Sequence, residues 1–254
     1  SRASTQEART EMLSMYDALL TRHGSAWLEQ HLDVVYTHLV HEIATRLPNG
    51  AELVRRLLDP HWPALSEPAQ ERAAAYLGTH VLAMWPPSTP TQPVPSEASL
   101  CVTLDATAVL VAQLGELSAT LHEALYEAHR RLLTHPTLAV QVRAAWWLSV
   151  ACSVQPWLLA PTYAELLGCM RRDTEALSKP QHDRGVSLRA RLVGHSAALA
   201  ALARVAAQHP LYVRNDDVDE VCSLALDLRT RYSETPAAPH ASAAVLSLIH
   251  ISEP

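Results

Sequence analysis

The chain has 254 residues, enough for one or two domains at roughly 100–200 residues each, and 48% of them are apolar against 18% charged. Seven glycines and no phenylalanine exclude a glycine-rich barrel, and the apolar share excludes a wholly disordered chain. A net charge of −6 and a pI near 6.1 give no basic face of the kind that nucleic acid or an anionic membrane would select.

The chain opens SRAST, with neither Met nor a leader, and reads as an internal piece of a longer protein. Apolar residues then recur at helical spacing, with no sustained period of two, so the chain reads as all-α with about ten helices. Gly24 breaks the first stretch. Trp27, Leu28, His31, Leu32, Val35, Tyr36, Leu39, Val40 and Ile43 form the stripe that follows. The next stops fall at Pro48-Asn49-Gly50 and at Pro60 to Pro63. From Met84 the sequence MWPPSTPTQPVPSEA places prolines at 86, 87, 90, 93 and 95, which forbid a helix and predict an extended loop over 86–97 inside one domain.

Leu104, Ala108, Val111, Leu114 and Leu117 make the next stripe. Residues 132–152, LLTHPTLAVQVRAAWWLSVAC, read as a helical hairpin: Leu132 and Leu133 end one helix, His135-Pro136 turns the chain, and Thr137 begins the next. Val142, Ala145, Trp146, Ser149 and Val150 are its expected inward stripe. Trp147, pointing elsewhere, is the expected partner-contact residue. Further turns are expected at Pro156 to Pro161, Pro180 to Gly185, Pro210 to Asn215 and Thr235 to Pro239. The apolar run from Ser196 to Ala207 is shorter than the roughly 20 residues a membrane span needs and contains Arg204, so no segment reads as transmembrane. The terminal LSLIHISEP, residues 246–254, is the translation of a transposase adapter used in preparing sequencing libraries, and is read as an artefact rather than native protein.

Pro60, Pro136 and Pro210 are 76 and 74 residues apart. That is about twice a 37–38 residue unit, close to the roughly 40–47 residues of HEAT and armadillo repeats. The expected architecture over residues 1–245 is therefore an α-solenoid of antiparallel helix pairs. In residues 132–145 the pattern LL-T-HP-x5-VR-AA resembles the HEAT repeat, with Pro136, Arg143, Ala145 and Trp146 as its signature. By that resemblance Arg143 ties neighbouring repeats together at their turns.

Taken in order, GSAWLEQHLDVVYTHLVHEIATRLP (24–48), LVAQLGELSATL (110–121), LLTHPTLAVQVRAAWWL (132–148), LLAPTYAELLGCM (158–170) and GHSAALAALA (194–203) resemble successive helices of the HEAT-repeat-containing protein 5 family. The likeness spans roughly residues 24–231 and departs at the proline loop and around 52–73. It implies a large cytosolic scaffold without catalytic, cofactor or metal residues. The implied partners are the clathrin adaptor protein 1 complex and its accessory proteins, with peripheral placement at the trans-Golgi network, endosomes and endocytic vesicles. Endocytosis, endosome-to-Golgi transport and protein localisation are the implied processes. The alternative is a HEAT scaffold of another pathway, nuclear transport or phosphatase assembly.

An enzyme reading rests on RLVGHSAALAAL, residues 191–202, which imitates a nucleophile elbow with Ser196 as nucleophile and Asp216 or Asp217, then His240, as partners. Against it, Ala198 replaces the second glycine, no strands flank the serine, and only 44 residues separate it from His240. His38, His41 and Glu42 offer too few ligands for a metal site. His31, His38, His80, His122, His129 and His195 read as partly buried structural imidazoles, Arg171 to Asp173 as solvated surface, and NDDVDE (215–220) as a helix start. Cys101, Cys152, Cys169 and Cys222 lack metal spacing and read as buried thiols of a reducing compartment.

Overall fold

The computed structural model describes residues 2–177 and 185–232. Every regular element among them is helical. The predicted turns at Thr235 to Pro239, most of that at Pro180 to Gly185, and the segment 246–254 lie outside the described residues. The chain divides into two compact units, Ser1–Ala128 and His129–Pro254.

In the first unit α1 (Arg2–His38) bends at Gly24, whose φ of 69° and ψ of −166° are open to a residue without a side chain. The helix runs into a π-helical turn, Leu39–Ala44, followed by α2 (Gly50–Leu58) and α3 (Glu67–His80). The proline loop comes next, with Trp85–Pro86 in cis, then α4 (Glu97–Leu114). Ser96 caps α4 by accepting from the Ser99 N–H at 3.1 Å. Gly115, left-handed at φ 68°, ends it. The expected stripe therefore stops at Leu114, and Leu117 is buried from the connection instead. A short helix α5 (Ala119–Leu121) and a π-helical turn, His122–Tyr126, complete the unit.

Helix α4 is the axis of this unit, packed against α2, α3 and the first π turn. Leu100, Leu104, Ala108, Leu110 and Val111 are fully enclosed, each leucine contributing about 1.5–3 kcal/mol by leaving water. The Tyr36 hydroxyl bonds Thr103 at 2.9 Å from within this core. With 18 residues and a mean hydropathy of 1.4, α4 meets the length and composition of a membrane span, a candidate the sequence reading passed over. Asp105 on it and its 61% burial are those of a core helix.

The boundary between units falls within α6 (Glu127–Leu132). The second unit continues with α7 (Leu138–Val154), α8 (Leu159–Leu177), α9 (Gly185–Gln208) and α10 (Asn215–Tyr232). Pro136 lies in the bend between α6 and α7, where the His135 ring accepts the Thr137 N–H at 3.1 Å. Gln141 donates to the His135 carbonyl at 2.6 Å and to Ala190 of α9 at 2.8 Å. Helices α7 and α9 thus start at the same end and run side by side, the most extensive helix contact in the unit. Gly194 lets α9 approach the bend between α6 and α7, since a Cβ there would overlap the Leu133 carbonyl oxygen. Helix α8 runs antiparallel to α9: Met170 meets Ser196 and Asp173 meets Arg191.

Candidate functional site

The two tryptophans exchange the roles expected of them. Trp147, the expected contact residue, is fully enclosed and stacks on the buried His129 ring, centroids 3.7 Å apart. Its indole N–H finds no acceptor among the described residues, so packing alone holds it. Trp146, expected to point inward, is 39% exposed, and Val142 is 49% exposed. The reason is one step of helical phase: burying Gln141, Ala144, Ala145 and Leu148 rotates Val142 and Trp146 outward. Ala145 and Ser149 are buried as expected, and Leu138, which the sequence reading omitted, joins the outward row at 55%. Its spacing of four from Val142 was the available signal.

Arg143 is half-buried and donates to the Ala139 carbonyl of its own helix at 3.2 Å. Ion pairs tie neighbouring helices. Arg130 of α6 pairs with Glu165 of α8, and Arg171 of α8 with Glu220 of α10. Asp173, expected on a solvated surface, is instead buried between α8 and α9, 2.8 Å from Arg191 and 3.2 Å from His195. Burial alone would raise its carboxyl, but His195 and Arg191 together hold it below its ordinary value. Asp216 and Asp217 lie in the first turn of α10, as the helix-start reading has it.

Ser196 is buried in mid-helix and donates to the Leu192 carbonyl at 2.6 Å. No strand-to-helix turn presents it, and its neighbour Gly194 serves helix contact. His240 lies outside the described residues. Among the described residues no three His, Cys, Asp or Glu side chains converge as metal ligands. The His38 ring bonds the Tyr16 hydroxyl at 2.7 Å, and Glu42 faces Arg9 and Arg46. His129 and His195 are buried, whereas His31 and His80 are exposed. Cys101 and Cys152 are enclosed, the Cys152 thiol pushed up to about 12 by burial, but Cys222 is exposed, against expectation.

A groove of about 610 Å³ in the first unit is lined by Tyr36, Thr37, Tyr76, His80, Met84 and Val94, among others. Its rim groups serve each other: Tyr76 bonds Thr37 at 3.3 Å, and the His80 ring bonds the Tyr76 carbonyl at 3.2 Å. Other polar groups of the lining are likewise engaged within the chain, Thr45 with the His41 carbonyl and Ser96 with the Ser99 N–H. The more distinctive surface is the outward row of α7, apolar where solvent-facing helix positions are normally charged. No family model, curated protein or solved structure matches this chain.

Proposed function

We propose that the chain is a HEAT-type α-solenoid segment of a large cytosolic scaffold. It acts by holding other proteins, without chemistry of its own, in clathrin-adaptor-linked traffic between endosomes and the trans-Golgi network. One observation carries the solenoid part: alternate helices α7 and α9 lie side by side in the same direction, while α8 returns antiparallel against α9. Arg130 and Glu165 link α6 to α8 in the same alternate fashion. Stacked hairpins of this kind bury a continuous core and present long faces suited to extended partners. The adaptor part rests on the resemblance of five segments in order to the HEAT-repeat-containing protein 5 family.

The test is capture of purified adaptor protein 1 complex and its accessory proteins by the immobilised chain. Retention that a charge-reversed surface variant abolishes is the expected result. Recovery of nuclear-transport cargo or phosphatase subunits in their place would move the scaffold to another pathway.

A further inference from the structure

Helices α7 and α9 share a chemistry that no other described helix longer than three residues has. Neither the 17 residues of α7 nor the 24 of α9 include an Asp or Glu, in a chain that has 26 of them. Among the described residues the acids of the second unit sit on α8 and α10, and the one that reaches α9, Asp173, is consumed by Arg191 and His195.

Gln141 bonds Ala190 and lies against Gly194, which sets Val142 and Trp146 of α7 level with Val193 and Ala197 of α9. Trp147 turns toward His129 of α6, and Arg191 and His195 turn toward α8. Leu138, Val142 and Trp146 therefore project from the side opposite α6 and α8, exposed by 55, 49 and 39%. On α9 the half-buried Val193 and Ala197 recur at the same four-residue step, with exposed Arg189 before them and exposed Arg204 beyond. Neither arginine has an ion-pair partner among the described residues. The result is a two-helix shelf, apolar along its centre and positive at both ends of one edge.

An unpartnered apolar row ending in a Trp is the composition of an interface core. Among the described residues its border carries only positive charge, from Arg189 and Arg204, which selects for the sign of the partner. From this we infer that the α7–α9 shelf docks an amphipathic helix from another protein, apolar residues at i, i+4 and i+8 against Leu138, Val142 and Trp146, with Asp or Glu flanking them to meet Arg189 and Arg204. A nucleic acid would find too few cations and too much hydrocarbon. A second copy of this chain docking through the same shelf would bring arginine edges to arginine edges or to an uncharged row.

The experiment offers the full chain to a phage-displayed library of random 16-residue peptides, so it needs no adaptor protein and stands apart from the trafficking test. Enrichment of acidic peptides with apolar residues at four-residue spacing is the expected result. Their affinity should drop at least tenfold, about the loss expected on removing a Trp or Arg anchor, in Trp146→Ala and in the double variant Arg189→Glu/Arg204→Glu. Both changes are at exposed positions, and unchanged circular dichroism confirms the fold, with Arg172→Glu on α8 as the control that keeps binding. Enrichment of basic or uncharged peptides, peptides indifferent to these variants, or no enrichment would each overturn the assignment. So would concentration-dependent dimerisation, or sedimentation with phosphatidylserine vesicles, that Trp146→Glu abolishes, either of which would give the shelf another occupant.

Discussion

Helices α4 and α7 are both long, apolar and nearly free of charge, yet they end in different surroundings. Helix α4 exposes only Glu97, Ala112 and Gln113, being wrapped by α2, α3 and the π turn after α1. Helix α7 is covered by α9 along one side and by α6 at Trp147, and leaves Leu138, Val142 and Trp146 in solvent. Apolarity all round a helix states a demand for cover. The first unit meets that demand from within itself, and the second leaves part of it to something else.

The largest effect that can sharpen this contrast lies inside α7. Trp147→Ala removes a fully enclosed indole stacked on His129, and should lower unfolding stability by about 3–5 kcal/mol, read as a fall in the urea midpoint. A loss near zero would mean that α7 is no better enclosed at Trp147 than at Trp146, and the contrast between its two sides would collapse.

Gly194→Ala comes next. A methyl group at that position strikes the Leu133 carbonyl oxygen, a backbone atom without the give of a side chain. Displacing α9 from the bend before α7 should cost about 1–3 kcal/mol. The same substitution at Gly168, where a Cβ meets only the flexible end of Arg172 at 3.6 Å, should leave stability unchanged or raise it, by up to about 1 kcal/mol of helix propensity. Equal effects at the two glycines would show that α9 does not pack on the bend before α7 there.

Proline and glycine punctuation carried most of what was legible in the sequence. The kink at Gly24, the loop after Met84 and the bend at Pro136 all follow from residues whose backbone limits are local. Helical phase was less legible, because α7 has apolar residues on every side and nothing in its own pattern says which side finds α9. That ambiguity put Trp146 inside and Trp147 outside. The Asp173–Arg191–His195 cluster was hidden for a related reason: Arg171, Arg172 and Asp173 are consecutive charges, and burial of the third depends on a helix that begins twelve residues later. The π turns at Leu39–Ala44 and His122–Tyr126 have no residue signature at all.

The two units also treat partly or fully buried carboxyls oppositely, and pH separates them. In the first, burial pulls Asp59 above its ordinary value in spite of Arg55. In the second, His195 and Arg191 overcome burial and hold Asp173 below 3.8. A depressed folded-state value gives stability that is complete above the unfolded value and is lost as pH falls through the folded one. Asp173→Asn should therefore cost about 1–2 kcal/mol at neutral pH, a figure kept low because Arg191 reaches solvent. The gap between variant and wild type should close as pH drops below 3.8. Asp59 has the opposite sign: its raised value makes ionisation a cost to the folded state, so Asp59→Asn should be neutral or slightly stabilising at pH 7. A pH-independent gap for Asp173→Asn would remove the ion cluster from the account of how α8 holds α9.

The smallest effect is the one on which the contrast between α4 and α7 turns. Trp146→Ala should lower the stability of the isolated chain by only about 1 kcal/mol, because part of its indole already lies in solvent. Leu104→Ala at the enclosed centre of α4 should cost about 2–5 kcal/mol in the same measurement. The difference arises because Leu104 has no exposed surface whereas Trp146 keeps 39% of its own, so only the first leaves a cavity among neighbours unable to close it. A loss at Trp146 as large as that at Leu104 would mean that the row from Leu138 to Trp146 is already covered within this chain, and the shelf would have no vacancy for a partner to fill.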